Sequence, residues 1–271
     1  MDPEMTMPVD LVLVRHGESA GNTAIHDAKA GLPLPAADDQ YSSRRWLLTS
    51  KGRVQAESAG SWLRANGLGG YDRCYCSPYV RTMQTAALLG LPEASWWLEP
   101  LLRERDRGYE YVATKAQLAK AFPDSVRTKK ADRFLWRPAG GESIPDVDLR
   151  LRGVLATLAR ELEGKRVLCV THEDAMNALR FRLEKMTIDQ WITLNETNIE
   201  PIPNCGILHY TRRNPEAPNE VLPKFGWVRL VDASGDGGFP WREVVRRRFT
   251  NAELETMALA DGVQLASDQV G

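Results

Sequence analysis

The sequence predicts a three-layer α/β fold, in which helices cover both faces of a mostly parallel sheet. Two short runs are almost uniformly apolar, as buried parallel strands are: residues 9–14 (VDLVLV) and 166–171 (RVLCVT). Helix-like segments alternate with the strand-like runs, which is typical of such sheets. The length of 271 residues suits one large domain or one domain with additions.

The other elements follow from periodicity and from cap residues. Thr49 suits the N-cap of a helix that reaches Asn66, and the core-facing side chains of this helix should be Val54, Ala59, Trp62 and Leu63. Ser77-Pro78 should open a helix that reaches Leu89. We further expect a strand over 71–76, helices over 149–163 and from Asp174, a strand pair over 205–211 and 225–231, and a last helix behind a Thr250–Glu253 capping box.

Composition argues against several classes of protein. Lys plus Arg number 35 and Asp plus Glu 36, so the net charge of −1 favours neither nucleic acid nor a membrane surface as a partner. The N-terminus MDPEMTMP does not resemble a signal peptide, and no apolar run reaches membrane length, so we expect a cytoplasmic protein. The four cysteines include no CxxC pair, which disfavours a zinc site and favours reduced core residues.

Polar side chains follow three predicted strands at their carboxyl ends, where open α/β sheets bind ligands. They are, strand by strand, Arg15, His16, Glu18 and Ser19, then Ser77 and Arg81, then Thr171, His172 and Glu173. Two arginines and two histidines around one rim suit a compact dianion such as phosphate. A neutral imidazole is a competent nucleophile, and a carboxylic acid must protonate the leaving oxygen. The sequence therefore predicts a small phosphorylated substrate.

The same residues carry a resemblance to the histidine phosphatase (phosphoglycerate mutase-like) superfamily, over roughly residues 9–210. Its landmarks occur in the family's order: Arg15-His16-Gly17-Glu18-Ser19 with Asn22, Leu48-Thr49-Ser50-Lys51-Gly52 with Gln55-Ala56, Ser77-Pro78 with Arg81 and Thr85-Ala86, Leu102-Arg103-Glu104 with Gly108, Gly140-Gly141-Glu142-Ser143, Val170-Thr171-His172 and Pro203-Asn204-Cys205.

The resemblance implies a role for each matching position. His16 would be the nucleophile that forms a phosphohistidine, and Arg15, Arg81 and His172 would bind the phosphate. Glu104 would protonate the leaving group and then activate water. Asn22 would sit at the rim of the phosphate pocket, and Ser19 and Asn22 are further candidates for binding the phosphate. No metal and no other cofactor is expected, because arginine and histidine side chains supply the positive charge.

The sequence departs from the family pattern after the second histidine, where Glu173 replaces the usual glycine. A distant branch, the acid phosphatases and phytases, often uses an acid here as proton donor. Glu173 is therefore a second candidate for the acid as well as a candidate for the phosphate pocket. Residues 105–110 follow the longer pattern of the cofactor-dependent mutases poorly, which disfavours a mutase.

The resemblance also suggests a division of the chain. Residues 1–212 would form the catalytic domain, with insertions at about 22–46 and 103–140 serving as a lid, and residues 213–271 an extension packed on the same domain. Residues 103–137 hold ten basic and five acidic side chains. A basic lid would suit a substrate with more than one anionic group, although a solvated surface loop explains the charges equally well.

Three functions remain open at this point. The first is a phosphatase that acts through His16 without a metal. The second is a phosphoglycerate mutase-type phosphotransferase, and the third is a phosphate-binding scaffold with little turnover. The sequence does not identify the substrate or the oligomeric state, so a homodimer also stays open.

Overall fold

A mixed sheet forms the centre of the protein. The computed structural model describes residues 7–29, 43–111, 114–197, 200–217, 219–233 and 239–261. Within these residues the sheet has seven strands in the order β3-β2-β4-β1-β5-β6-β7. They are β1 (Asp10–Arg15), β2 (Arg73–Cys76), β3 (Trp96–Leu98), β4 (Arg166–Thr171), β5 (Ile207–Thr211), β6 (Trp227–Val231) and β7 (Arg242–Glu243).

The four strands β3, β2, β4 and β1 are parallel, whereas β5, β6 and β7 each pair antiparallel with their neighbours. Helices connect or flank them: α1 (Ala20–Lys29), α2 (Ser50–Ala65), α3 (Val80–Leu88), α4 (Lys115–Ala121), α5 (Pro123–Ala131), α6 (Ile144–Glu161), α7 (Glu173–Leu183), α8 (Ile188–Thr197) and α9 (Asn251–Asp261). The predicted α/β class is confirmed, with parallel pairing confined to one half of the sheet.

Each face of the sheet has its own apolar core, because successive strand residues point to opposite faces. Leu11 and Leu13 of β1 pack with α6 and α7, through residues such as Leu151 and Ala175. Val12 and Val14 pack on the other face, in a core that includes Ala59 of α2. Burial on both faces explains why β1 reads as a continuous apolar run in the sequence.

Two predictions about helices were wrong. Val54 of α2 does not face the core, since 61% of it is exposed. Ser77 does not cap α3, which begins only at Val80 with Tyr79 as its N-cap. The Ser77 hydroxyl is instead engaged by the imidazole Nε2 of His172, at 2.9 Å. A cap residue was thus used for the site rather than for the helix end.

The cap residues explain how other helix boundaries compare with the predicted ones. α6 begins at Ile144, five residues before the predicted start, because Ser143 and Asp146 form a capping box there. The Thr250–Glu253 capping box precedes α9 as predicted, with both reciprocal hydrogen bonds present. Residues 30–42 of the predicted insertion at 22–46, and residues 262–271 of the C-terminal extension, lie outside the described residues.

The described residues bear on two predictions from composition. None of the helices in the described ranges combines the length and the apolar character that a membrane span requires. The four cysteines are all buried and carry no disulfide, in agreement with their predicted place in the core.

Gly60 tests the packing of α2 against the end of α3. A Cβ atom at Gly60 would lie 1.9 Å from the backbone oxygen of Leu89, so a larger residue forces the two helices apart. Gly60→Ala should lower the free energy of unfolding by about 1–3 kcal/mol, measured by urea denaturation.

Gly153 of α6 is the matched control, because it is also a helical glycine but meets only a methyl group of Leu101, at 3.3 Å. Gly153→Ala should be neutral or should stabilise by up to about 1 kcal/mol, which is the difference in helix propensity. A stabilising Gly60→Ala would contradict the close approach of α2 and α3.

Candidate active site

The two predicted catalytic histidines follow adjacent parallel strands. Arg15 at the end of β1 is paired in register with Thr171 at the end of β4. The backbone N–H of His16 donates to the oxygen of Thr171 at 3.0 Å, which extends this pairing by one residue. The His16 and His172 rings consequently lie 5.1 Å apart, centroid to centroid, edge to face. Sheet register, rather than any flexible loop, sets their separation.

Arg81 of α3 joins the two imidazoles. Its Nε donates to Nε2 of His16 at 3.0 Å, and one terminal nitrogen lies 3.0 Å from Nδ1 of His172. The other terminal nitrogen donates to the backbone oxygen of Ser43 at 2.6 Å. Arg81 and His16 are each 3% exposed and His172 is fully buried. A buried guanidinium is therefore held in one position between the two rings.

The hydrogen bonds assign the tautomer of each ring. Nδ1 of His16 lies 2.7 Å from the oxygen of Gly17 and must carry the proton, so Nε2 keeps its lone pair. Nε2 of His172 donates to the Ser77 hydroxyl. Burial, followed by the charge of Arg81, holds the pKa of both histidines well below the usual value. Both imidazoles are thus neutral near pH 7.

Arg15 lies at the open side of the group. One of its terminal nitrogens is 2.8 Å from a carboxylate oxygen of Glu173, and the other donates to the backbone oxygen of Ile202. Its Nε is buried and has no hydrogen-bond partner among the described residues. Glu173 is the first residue of α7, and its side chain is 41% exposed.

Two further carboxyl groups at the site have pKa values displaced in opposite directions. Burial and the neighbouring negative charge of Asp174 raise the pKa of Glu104 to about 7. Burial acts against the charged form of Asp174 too, but Arg107, at 2.7 Å, and Arg105 hold the pKa of Asp174 below its usual value. Near neutral pH Glu104 can therefore hold a proton while Asp174 is ionised.

Ser19 and Asn22 lie close together beside the cavity. The Asn22 side-chain oxygen accepts from the backbone N–H and the hydroxyl of Ser19, at 3.0 and 2.9 Å. Asn204 donates to the backbone oxygen of His16 at 3.1 Å and to the same Asn22 oxygen at 3.5 Å. The late Pro203-Asn204 turn thus ties the start of α1 to the loop after β1.

These groups surround one cavity of about 320 Å³. Seven of the eight predicted site residues line it: Arg15, His16, Ser19, Asn22, Arg81, Glu104 and Glu173. His172 is not in the lining and reaches the cavity group through its contact with Arg81.

The sequence analysis missed several residues of the site, and Gly21, Ile25 and His26 are among the lining residues that it did not predict. Arg107 and Trp46 also line the cavity, and Asp174 pairs with Arg107. The Trp46 indole covers the backbone of Gly21, where a Cβ atom would lie 1.8 Å from the ring. Arg107 was noted only as part of a basic segment. No sequence signal marks Trp46, whereas the acidic pair Glu173-Asp174 after the second histidine could have drawn attention to Asp174.

Three of the site residues offer the donor atoms of a metal site. One ligand atom each from His16, Glu104 and His172 lies within 4.8 Å of the other two. However, Arg81 already engages Nε2 of His16 and Nδ1 of His172. A divalent cation on the two nitrogens would have to displace the N–H groups of Arg81 and lie against its positive charge. The donor set therefore fits a metal poorly.

Comparisons with known proteins identify the family of the chain. The sequence pattern of the histidine phosphatase superfamily (branch 1) matches residues 11–213. The chain is 31% identical over 183 residues to a 2,3-bisphosphoglycerate-dependent phosphoglycerate mutase of Methylobacterium radiotolerans, covering 65% of this chain and 80% of the relative.

Solved structures show the same fold at low identity. A mycobacterial glucosyl-3-phosphoglycerate phosphatase in complex with VO3 superposes with a TM-score of 0.57 at 24% identity, over 74% of this chain and 92% of that one. The alpha-ribazole phosphatase from Shigella flexneri gives 0.59 at 20% identity, over 80% and 95%. Together with the match over residues 11–213, these findings show that the chain belongs to the histidine phosphatase superfamily.

Proposed function

We propose that the protein is a phosphatase that hydrolyses a phosphomonoester through a phosphohistidine on His16. The observation that carries the proposal is the state of His16 Nε2, which keeps a lone pair beside Arg81 because Nδ1 is bound to Gly17. A nucleophile of low basicity and fixed direction, next to a cation that can hold the equatorial oxygens, is what phosphoryl transfer requires.

The first step transfers the phosphoryl group to the enzyme. His16 Nε2 attacks phosphorus, the bond from phosphorus to the ester oxygen breaks, and Glu104 gives its proton to that oxygen. Arg81 and Arg15 stabilise charge on the equatorial oxygens, and His172, which lies outside the cavity lining, positions Arg81. The incoming anion competes with the imidazoles for the N–H groups of Arg81, so binding converts a bridge between two rings into a phosphate site.

The second step returns His16 to its starting state. Glu104, now a carboxylate, takes a proton from water as the water oxygen attacks phosphorus. The bond from phosphorus to Nε2 breaks, and orthophosphate leaves. One carboxyl group thus serves as acid and then as base, which suits a group with a pKa near neutrality. We also propose that neither step uses a metal, since Arg81 occupies the position a metal would take.

The names of the relatives favour a mutase, but the charges of the cavity do not. A mutase that uses a bisphosphorylated cofactor must hold a second phosphate in the same site. Of the three arginines lining the cavity, Arg15 is paired with Glu173 and Arg107 with Asp174. This charge balance supports hydrolysis of a substrate with a single phosphate.

The basic segment 103–137 does not alter that balance. Its ion pairs are Arg103–Glu142, Arg107–Asp174, Arg127–Asp124, Lys129–Glu110, Arg133–Glu196 and Arg137–Asp146. Among the ten basic residues Arg107 is the one found in the described cavity lining. The prediction of a lid that collects several anionic groups therefore gains no support from these side chains.

His16→Ala tests the nucleophile. In the cavity lining, His16 is the imidazole that Arg81 contacts, so its loss removes the nucleophile. The variant should release phosphate from p-nitrophenyl phosphate at least 10³-fold more slowly, which is the scale expected when a covalent route is lost. Wild-type protein quenched in the steady state should carry phosphate that is acid-labile and base-stable, and His16→Ala should carry none.

The control is His209→Gln, because His209 pairs with Asp10 at 3.0 Å and does not line this cavity; this variant should change neither result. Full activity of His16→Ala would overturn the phosphohistidine route. A scaffold of low turnover would bind orthophosphate, seen as a rise in Tm, and turn over no ester. With 3-phosphoglycerate, a mutase would conserve the esterified phosphate, whereas a phosphatase frees it.

Glu104 should control the alkaline limb of the pH profile. Its acid form is needed for the first step, so kcat/KM should be full below pH 7 and should fall as pH rises through about 7, the pKa of Glu104. The substrate itself ionises near pH 6 and cannot produce this limb. Glu104→Gln should remove the limb and lower kcat/KM by about 10²–10⁴ for an alkyl phosphate.

An aryl phosphate provides the internal control, because a p-nitrophenolate leaves without needing a proton. The loss in Glu104→Gln should be clearly smaller for p-nitrophenyl phosphate than for glycerol phosphate. Equal losses on the two esters, or an alkaline limb that persists in the variant, would assign the acid to another residue.

A further inference from the structure

The first turn of α7 presents two consecutive acidic side chains to two different arginines of the cavity. Glu173 lies 2.8 Å from Arg15, and Asp174 lies 2.7 Å from Arg107. Glu173 and Asp174 directly follow His172 in the sequence. The phosphate site is thus bordered by negative charge as well as by positive charge.

The pair between Arg15 and Glu173 uses the part of Arg15 that would otherwise make a forked contact with phosphate. One terminal nitrogen is bound to Glu173 and the other to the backbone of Ile202. The Nε atom is buried and has no partner among the described residues. An anion beside His16 can accept a hydrogen bond from Nε, and for a second hydrogen bond it must share a terminal nitrogen with Glu173 or Ile202, or displace one of them.

We propose that Glu173 is a selectivity residue, which competes with phosphate for Arg15 and repels leaving groups that carry a negative charge. The proposal rests on the proposed phosphatase function and specifies its substrate class. The preferred substrates are phosphomonoesters whose leaving group is uncharged near the phosphate. A second consequence is rapid release of orthophosphate, because Glu173 takes Arg15 back as the product leaves.

The position of Glu173 supports this role over that of a proton donor. Its carboxylate is 41% exposed and is paired with the guanidinium of Arg15, 2.8 Å from a terminal nitrogen. Glu104, by contrast, has a raised pKa within the same cavity. The two candidate acids of the sequence analysis thus take different tasks: one carries the proton, and the other sets the charge at the rim.

The cavity lining offers no evident compensation for the charge of Glu173. Arg107 is bound to Asp174, and His26 lies 3.5 Å from Asp27. A carboxylate or second phosphate on the leaving group would therefore meet the negative charge of Glu173. Arg107, which also lines the cavity, is already bound to Asp174 and offsets this repulsion little. Like charges a few ångströms apart at a protein surface repel each other.

Glu173→Gln tests the proposal, because glutamine keeps the shape and removes the charge. The inhibition constant of orthophosphate should fall on the order of tenfold, which corresponds to about 1.4 kcal/mol. kcat/KM for 3-phosphoglycerate should rise relative to that for glycerol 3-phosphate, which has the same skeleton with a hydroxymethyl group in place of the carboxylate. The alkaline limb of kcat/KM should stay where it is in wild type.

Glu161→Gln is the matched control, since Glu161 is 46% exposed and pairs with Arg160 at 2.7 Å, at the end of α6 outside the cavity lining. It should change neither the inhibition constant nor the substrate ratio. If Glu173→Gln proves unstable, Glu173→Ala replaces it. The rise in Tm that orthophosphate produces in Glu173→Ala is then compared with the rise that it produces in wild type.

Unchanged phosphate inhibition and an unchanged substrate ratio in Glu173→Gln would overturn the proposal. If Glu173→Gln lost both the alkaline limb of the pH profile and most of kcat, the proposal would also be overturned, because Glu173 would then be the proton donor. Failure of the proposed function is a separate result: wild type would release no phosphate from either ester, or His16→Ala would retain full activity.

Discussion

One guanidinium group holds the site together. Arg81 lies between His16 and His172, with an N–H group on a nitrogen of each ring and a third on the backbone of Ser43. The bridge has two effects that are both needed. It fixes the direction of the Nε2 lone pair of His16, and its charge disfavours protonation of either ring. Without a neutral ring in one tautomer, His16 could not attack phosphorus near pH 7.

The charges around Arg81 fall into separate tasks because their surroundings differ. Glu104 is buried next to the ionised Asp174, so its pKa is raised and it can carry a proton. Asp174 keeps its charge through Arg107 and Arg105. Glu173, partly exposed and bound to Arg15, remains as negative charge at the rim. In the proposed mechanism these three carboxyl groups act as a proton carrier, a fixed countercharge and a competitor for phosphate.

The sequence was sufficient for the parts of the molecule that depend on local pattern. Apolar runs and cap residues located β1, β4, α2 and α9, and the strand-end rule brought His16 and His172 to one edge. It failed where a side chain serves a distant partner. Ser77 has the chemistry of a cap, yet its hydroxyl accepts from His172. Arg107 and Asp174 are far apart in the chain, so their pairing depends on tertiary structure alone.

A crystal structure of the protein with vanadate tests the central claim most directly, because vanadate adopts the geometry of the phosphoryl group in flight. The account predicts vanadium bonded to His16 Nε2, with N–H groups of Arg81 turned from the imidazoles to the equatorial oxygens and Glu104 at the apical oxygen. Vanadate bound away from His16, or Arg81 still bridging the two rings beside an occupied cavity, would contradict it.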